Sequence, residues 1–115
     1  MMIPVHLNPG DTLIREGEPS DCMYIVKSGE LIVSKFANDK PTHLGYIKAG
    51  ETIGEMSFLD GLVRSATVKA HTACELQMIN RPYFDQEFKN SSQFIQALLK
   101  ALSGRLRRAD KQLVT

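Results

Sequence analysis

The sequence predicts a mainly β fold, a jelly-roll-like β-roll or sandwich of short strands, followed by a short helix and a long helix. From Ile3 to about Asn80, short alternating or apolar runs are separated by turn residues, a pattern typical of many short strands. After Asn80 the apolar spacing changes from every second residue to about every 3.6 residues, which indicates helix. At 115 residues the chain has the usual length of one domain. We therefore expect one domain over residues 1–115, with the β-roll over about 3–80 and the helices over 81–114.

Apolar runs between the turns predict six strands. Glycine, proline, asparagine and aspartate punctuate these runs about as closely as the turns of a compact all-β fold require. The predicted strands are Thr12–Ile14, Met23–Lys27, Glu30–Phe36, His43–Ile47, Ala66–Ala70 and Cys74–Ile79.

The first predicted helix is short. Pro82 suits a first helical turn, since its missing N–H would have no intrahelical partner there. Tyr83, Phe84 and Phe88 form one apolar side, and we expect the helix to end near Asn90.

The second predicted helix covers residues 92–113 and carries an a/d seam. Its apolar residues are spaced alternately by four and three positions. They are Ile95, Leu99, Leu102, Leu106, Ala109 and Leu113. Such a seam packs either on the chain's own β-domain or on the same helix of a second copy, which would give a homodimer through residues 92–113.

Composition narrows the classes of partner and compartment. The formal charge of +1 gives no large field to recruit nucleic acid or an acidic membrane. Cys22 and Cys74 are too few for a disulfide framework, so we expect two buried thiols in a reducing compartment. No stretch has the apolar length of a membrane span, and the first residues lack a signal pattern, so the expected location is cytoplasmic.

Motifs for catalysis or metal binding are not found in the sequence. There is no P-loop, nucleophile elbow or assignable pair of catalytic carboxylates, and Ser57 has no evident base to activate it. His6, His43 and His71 lie far apart in sequence, with no His-x-His pair to suggest a metal site. We therefore expect no enzyme activity, no metal and no cofactor.

The segment over residues 49–68 carries the most chemistry. It is typical of a strand, a glycine, one helical turn, a loop and then Arg64 at the start of another strand. A helix that begins at Gly54 offers N–H groups and a partial positive charge to an anion such as a phosphate. Arg64 can hydrogen-bond two phosphate oxygens, and Ser65 can add a hydroxyl donor. Glu55 can accept from a sugar hydroxyl.

A plainer interpretation of the same residues stays open at this point. Glu55 and Arg64 could form a surface salt bridge around a β-turn, worth about 0–1 kcal/mol.

The complete sequence over residues 54–68 favours the phosphate site over the surface salt bridge. Gly54–Leu59 followed by Arg64–Val68 closely resembles the phosphate-binding cassette of the cyclic-nucleotide-binding domain family, of the catabolite activator and protein kinase A regulatory-subunit type. The resemblance implies that Gly54 and Glu55 bind the ribose region. In the family, small residues in the turn present backbone N–H groups to the cyclic phosphate, a role that falls here on Met56 and Ser57. The resemblance also implies that Arg64 neutralises the phosphate beside Ser65.

The same resemblance suggests the apolar wall and the base contact. Ile14, Val33 and Leu44 are expected near the sugar and base, although all three suit ordinary strand core equally well. Asp110 falls where the family places one of two hydroxyl residues against adenine. Asp110 could accept from an exocyclic amine or be an exposed polar residue of the helix, so the choice between adenine and guanine stays open.

The resemblance implies a sensor rather than an enzyme. We expect cAMP, or else cGMP, to draw the 54–59 turn inward, so that Met56, Phe58 and Leu59 re-pack against the 92–113 helix and move it. Because the sequence ends at Thr115, we expect no helix-turn-helix and no direct DNA binding. The basic run Arg105, Arg107, Arg108 and Lys111 is interpreted as a solvated helix face. The alternative is a ligand-free dimerisation or docking module, against which the intact Glu55 and Arg64 argue.

Overall fold

A computed structural model describes residues 2–102. Its strands precede most of its helical residues, which confirms the predicted mainly β fold with helices towards the C-terminus. The strands are β1 Met2–Leu7, β2 Thr12–Ile14, β3 Cys22–Ser28, β4 Glu30–Ala37, β5 Lys40–Lys48, β6 Thr52–Ile53, β7 Thr67–Ala70 and β8 Cys74–Asn80. The helices are α1 Glu55–Asp60 and α2 Arg81–Lys89. A further helix, α3, is helical over residues 93–102.

The strands form two four-stranded antiparallel sheets. The first has the order β1-β8-β3-β6 and the second the order β2-β7-β4-β5. In β3 every second side chain is buried, as expected for a strand with one face on a core. The core between the sheets contains Leu7, Ile14, Cys22, Tyr24, Val26, Leu31, Ile53, Val68, Ala70, Cys74 and Leu76. Both cysteines are free and buried, as predicted.

All six predicted strands are present, with small shifts at their ends. The largest shift is in β5, which starts at Lys40 rather than at His43. Asn38 and Asp39 both have positive φ, 54° and 63°, and join β4 to β5 in a tight two-residue turn. The hairpin therefore continues three residues further than its apolar pattern indicated.

Two strands were not predicted. β1 pairs along its whole length with β8, from Met2 opposite Ile79 to Leu7 opposite Cys74. It is an edge strand with mostly exposed side chains, where Pro4 is tolerated, so it lacks an alternating pattern. β6 has only two residues, too few for any periodicity to show.

The predicted short helix is confirmed as α2. The side chain of Asn80 caps it by accepting from the backbone N–H of Tyr83 at 2.9 Å. Pro82 lies in its first turn, and the helix is followed by Asn90 as its C-terminal cap. Phe84 and Phe88 stack on one side, with ring centroids 5.6 Å apart.

α3 starts where the sequence predicted. The hydroxyl of Ser92 accepts from the N–H of Ile95 at 3.2 Å, a side-chain N-cap. The exposed large apolar side chains of α3 are Phe94, Ile95, Leu98 and Leu102. The remaining seam residues Leu106, Ala109 and Leu113, the basic run and Asp110 all lie outside the described residues. Among residues 2–102, no helix is both long and apolar enough to cross a membrane.

Candidate ligand site

A cavity of ≈ 150 Å³ opens between the second sheet, β6, α1 and the loop that precedes β7. Nine of the ten predicted site residues line it, although they come from separate parts of the chain. These nine are Ile14, Val33, Leu44, Gly54, Glu55, Met56, Ser57, Arg64 and Ser65. The tenth, Asp110, lies outside the described residues.

Arg64 is buried in the wall of this cavity, with only 3% of the residue exposed. Its Nη2 donates to the backbone carbonyl of Cys22 at 2.7 Å, and its Nη1 donates to the carbonyl of Gly54 at 3.2 Å. Its backbone is also held, since its N–H donates to Glu18 and its carbonyl accepts from Gly17. Main chain and side chain are therefore both fixed in place.

The charge of Arg64 is not matched by a carboxylate. Within residues 2–102 it forms no ion pair, and the acceptors of its guanidinium are carbonyls, a hydroxyl and a thiol. A buried charge is costly unless it is paired, so most buried arginines have an acidic partner. The interpretation of Arg64 and Glu55 as a surface salt bridge is wrong, because Arg64 is buried and bonds other groups. The cavity wall thus presents a positive charge suited to an anion.

Gly54 is the turn between β6 and α1, and the position requires glycine for two reasons. Its φ is +77°, in the left-handed region that other residues adopt only at a cost. A Cβ added there would also lie 2.2 Å from Nη1 of Arg64. With no side chain at the N-cap, the first turn of α1 faces the cavity with the positive end of its dipole.

Ser57 joins α1 to the arginine. It is 3% exposed, and its Oγ accepts from Nη1 of Arg64 at 3.4 Å and lies 3.0 Å from Oγ of Ser20. The same hydroxyl lies 3.3 Å from the carbonyl of Gly54. A movement of α1 therefore changes the surroundings of the guanidinium directly.

Cys22 contacts the guanidinium of Arg64, and Tyr24 contacts Cys22 in turn. Neither residue was predicted as a site residue. Besides the carbonyl contact, the thiol of Cys22 lies 3.6 Å from Nη2 and 3.3 Å from the hydroxyl of Tyr24. Burial, together with the hydrogen bond to Cys22, raises the pKa of Tyr24 well above its ordinary value, so its phenol stays neutral. Sequence reasoning identified Cys22 only as a buried apolar residue, because no motif marks a carbonyl acceptor.

Glu55 is the first residue of α1 and lines the cavity, where it is half-buried. Within the described part of the chain its carboxylate forms no hydrogen bond or ion pair. A half-buried carboxylate with this freedom can accept hydrogen bonds from a neutral hydroxyl. The cavity therefore offers an acceptor as well as a positive charge.

The opposite wall is apolar. Ile14 is buried and belongs to the core as well as to the cavity, so both interpretations of it hold. Leu44 reaches the cavity because of a bulge in β5, where Val33 pairs with Gly45 and Ser34 with His43. Five further lining residues were not predicted: Ile47, Thr52, Ile53, Ala66 and Val68.

Comparison with known families decides the class. Residues 4–91 match the model of the family described as cyclic nucleotide-binding domain. The chain belongs to this family. The relationship predicted from the 54–68 string is thereby confirmed, and it extends over both sheets and α2.

Curated relatives include proteins of two kinds. The cAMP-activated global transcriptional regulator CRP of Salmonella typhimurium is 34% identical over 105 residues, covering 89% of this chain and 50% of the regulator. The cGMP-dependent protein kinase egl-4 of Caenorhabditis elegans is 35% identical over 83 residues, covering 72% of this chain and 10% of the kinase. This chain thus spans half the regulator's length and a tenth of the kinase's.

Among solved structures, the cAMP-bound form of the EAL enzyme Bd1971 superposes with a TM-score of 0.84 at 25% identity, over 96% of this chain and 29% of that one. The cGMP-bound form of Bd1971 gives a TM-score of 0.83 at the same identity, over 96% of this chain and 30% of that one. The shared part is therefore a fraction of a larger enzyme, and that enzyme has been solved in a cAMP-bound and a cGMP-bound form.

Proposed function

We propose that this chain is a regulatory module that binds a cyclic nucleotide, with cAMP preferred, in the cavity between α1 and the second sheet. The observation that carries the proposal is Arg64, a buried guanidinium in a cavity wall without a carboxylate partner in the described residues. A cyclic phosphate has one negative charge and two free oxygens, and a charge-assisted hydrogen bond to it is worth about 1.5–3 kcal/mol.

The cavity wall supports a division of the ligand into three parts. The cyclic phosphate lies between Arg64 and the first turn of α1, where Met56, Ser57 and Ser65 contribute donors. The ribose hydroxyl donates to Glu55 beside Gly54, since a carboxylate there would repel the phosphate but stabilise a hydroxyl. The base lies against the apolar wall of Ile14, Val33 and Leu44.

The proposed preference for cAMP over cGMP is supported by the sequence relatives. The relative that matches this chain over 105 residues is named as cAMP-activated, whereas the cGMP-dependent kinase matches over 83 residues. Asp110, the proposed contact to the exocyclic amine of the base, is placed by the resemblance alone.

We further propose that ligand binding moves the C-terminal helices. The cavity of ≈ 150 Å³ is smaller than the ~300–1,000 Å³ typical of small-molecule sites, so we expect a lining segment to shift when a nucleotide enters. α1 is that segment, and Phe58 on α1 packs edge-on against Phe84 of α2, with ring centroids 4.9 Å apart. Phe84 stacks on Phe88, whose carbonyl accepts from Gln96 of α3 at 2.9 Å. The proposed relay to the long helix therefore runs through α2.

The remaining proposals concern the setting of the module. We propose a single cytoplasmic, non-catalytic domain that forms a homodimer through the 92–113 helix and does not itself contact DNA. The exposed apolar side chains Phe94, Ile95, Leu98 and Leu102 support the dimer, because a second helix would cover them. The two free buried thiols are consistent with a reducing compartment.

The second candidate function is a docking module that has lost its ligand. The same exposed face of α3 favours it, since that face needs no nucleotide. Calorimetric titration of the chain with cAMP and with cGMP separates the two candidates. Binding of either below millimolar concentration supports the sensor, whereas no heat from either would favour the docking module.

A further inference from the structure

Arg81, the first residue of α2, holds one residue of α1 in two ways. Its Nη2 donates to the backbone carbonyl of Phe58. Its guanidinium carbon also lies 3.8 Å from the centroid of the Phe58 ring, within the range of a cation–π contact. Phe58 is fully buried, whereas the side chain of Arg81 is 38% exposed, so the contact lies at the edge of the protein interior.

Two further contacts of α2 complete the arrangement. The rings of Phe58 and Phe84 form a T-shaped contact with an interplanar angle of 84°, and Phe84 lies about one helical turn along from Arg81. Nη1 of Arg81 lies 3.7 Å from Oδ1 of Asp85, whose side chain is 60% exposed. An exposed ion pair at that distance is weak, whereas a charged donor on a buried carbonyl is strong. Phe58 is therefore the main partner of Arg81.

α1 connects the cavity to the contact between Arg81 and Phe58. Glu55 and Met56 line the cavity, and Phe58 follows within the same short helix. The helix is closed by hydrogen bonds from Phe58 N–H to Gly54 and from Gly61 N–H to Ser57. Because these bonds make α1 a rigid turn, a shift of its cavity-facing end displaces the Phe58 carbonyl as well.

We propose that Arg81 is a positioning residue that latches α1 to α2, so that it sets the resting position of the cavity-facing turn and passes a shift of that turn to α2. The transmission rests on the proposed function, whereas the latch itself does not require a ligand. If α1 moves far enough to break the carbonyl contact, Asp85 is already in place as the other partner of the guanidinium.

The latch is tested first without ligand, by amide hydrogen exchange on the whole chain. Arg81→Met keeps an unbranched apolar stem but removes the charge and the donors, and it should speed exchange of the Phe58 and Gly61 amides about tenfold. Arg81→Lys keeps the charge, and its exchange rates at these two amides should lie between those of the parent and those of Arg81→Met. The matched control is Arg15→Met, because Arg15 also forms an exposed pair, 3.6 Å from Glu18, but lies far from α1 in the chain. Unchanged exchange in Arg81→Met would overturn the latch.

The transmission is tested next by recording α2 amide chemical shifts with and without saturating cAMP. In the parent and in Arg15→Met the shifts of residues 83–89 should change, whereas in Arg81→Met they should change by less than about half as much, at a ligand concentration that saturates the variant. A full α2 response in Arg81→Met would overturn the transmission. If Arg81→Met does not fold, Arg81→Lys takes its place in both measurements. A parent that binds neither cAMP nor cGMP would contradict the proposed function, while the exchange result would still decide the latch.

Discussion

The guanidinium of Arg64 occupies the space that a side chain at Gly54 would need. Nη1 donates to the Gly54 carbonyl at 3.2 Å, and a Cβ added to Gly54 would lie 2.2 Å from the same nitrogen. The turn before α1 and the buried positive charge are therefore parts of one arrangement, and neither can change without the other.

Gly54→Ala should weaken nucleotide binding and lower the free energy of unfolding. The left-handed φ alone costs about 1–2 kcal/mol, and the collision with Arg64 adds to it. Gly61→Ala is the control, since Gly61 has a similar φ of +74° at the other end of α1 but open space around its Cβ position. By denaturant unfolding, Gly54→Ala should lose more free energy of unfolding than Gly61→Ala. By calorimetry, only Gly54→Ala should lose affinity for the nucleotide. Equal behaviour of the two variants would contradict the role of the Arg64 contact.

Phe58→Ala should destabilise the fold by about 3–5 kcal/mol, the usual cost of emptying a buried aromatic site. Phe58 of α1 is fully buried and contacts Arg81 and Phe84 of α2, whereas Phe36 is 60% exposed. Phe36→Ala, the control, should cost well under about 1 kcal/mol by urea denaturation. A small effect at Phe58 would mean that α1 is not anchored on α2.

The strands were predictable where a core face imposed alternation or where turn residues bounded a short apolar run. In β8 the apolar residues Cys74, Leu76 and Met78 alternate with polar ones because one side of the strand lies on the core. β3 is instead a continuous apolar run over residues 22–26, in which only alternate side chains are buried. β1 was missed because only Leu7 among its residues is buried. Its position depends on pairing with β8, a long-range contact that leaves no local pattern.

The site was predictable where its chemistry is contiguous in sequence. Gly54 to Ser57 and Arg64 to Ser65 lie in one stretch, and their side chains or backbone carry the signal themselves. Cys22 acts on Arg64 mainly through its carbonyl, a group that every residue has, so its identity gave no indication of the contact. Leu44 lines the cavity because of a bulge, which alternation alone cannot reveal.

The stability of the β1–β8 pair should depend on pH. The hydrogen bond and charge of Glu75, 2.6 Å from Nδ1 of His6, raise the pKa of His6 above its ordinary 6.5. A raised folded-state pKa gives stability that is fully present below 6.5 and is lost as the pH rises through the folded value.

Glu75→Gln should therefore reduce the free energy of unfolding at about pH 6 and have little effect on it at about pH 9, as measured by urea denaturation. Glu87→Gln, an exposed residue of α2, serves as the control and should show no such difference. A Glu75→Gln effect that stayed the same at both pH values would exclude the proposed ion pair with protonated His6.

Leu102→Asp should convert a dimer into a monomer. Leu102 is 39% exposed on the apolar face of α3, and a buried unpaired carboxylate in a helix pair is strongly destabilising. Gln93→Asp, on the opposite side of the same helix by its spacing, should leave the mass unchanged. Sedimentation equilibrium measures both. A parent that is already monomeric would refute the interface itself.

Calorimetric titration of Arg64→Ala with cAMP measures how much the proposed contact between Arg64 and the cyclic phosphate contributes to binding. We predict at least about tenfold weaker binding than in the parent, since one charge-assisted contact is worth about 1.5–3 kcal/mol. The control, Lys40→Ala, removes an exposed cation from the start of β5, next to its turn with β4, and should bind like the parent. An Arg64→Ala variant that remains folded and binds cAMP as tightly as the parent would contradict the account.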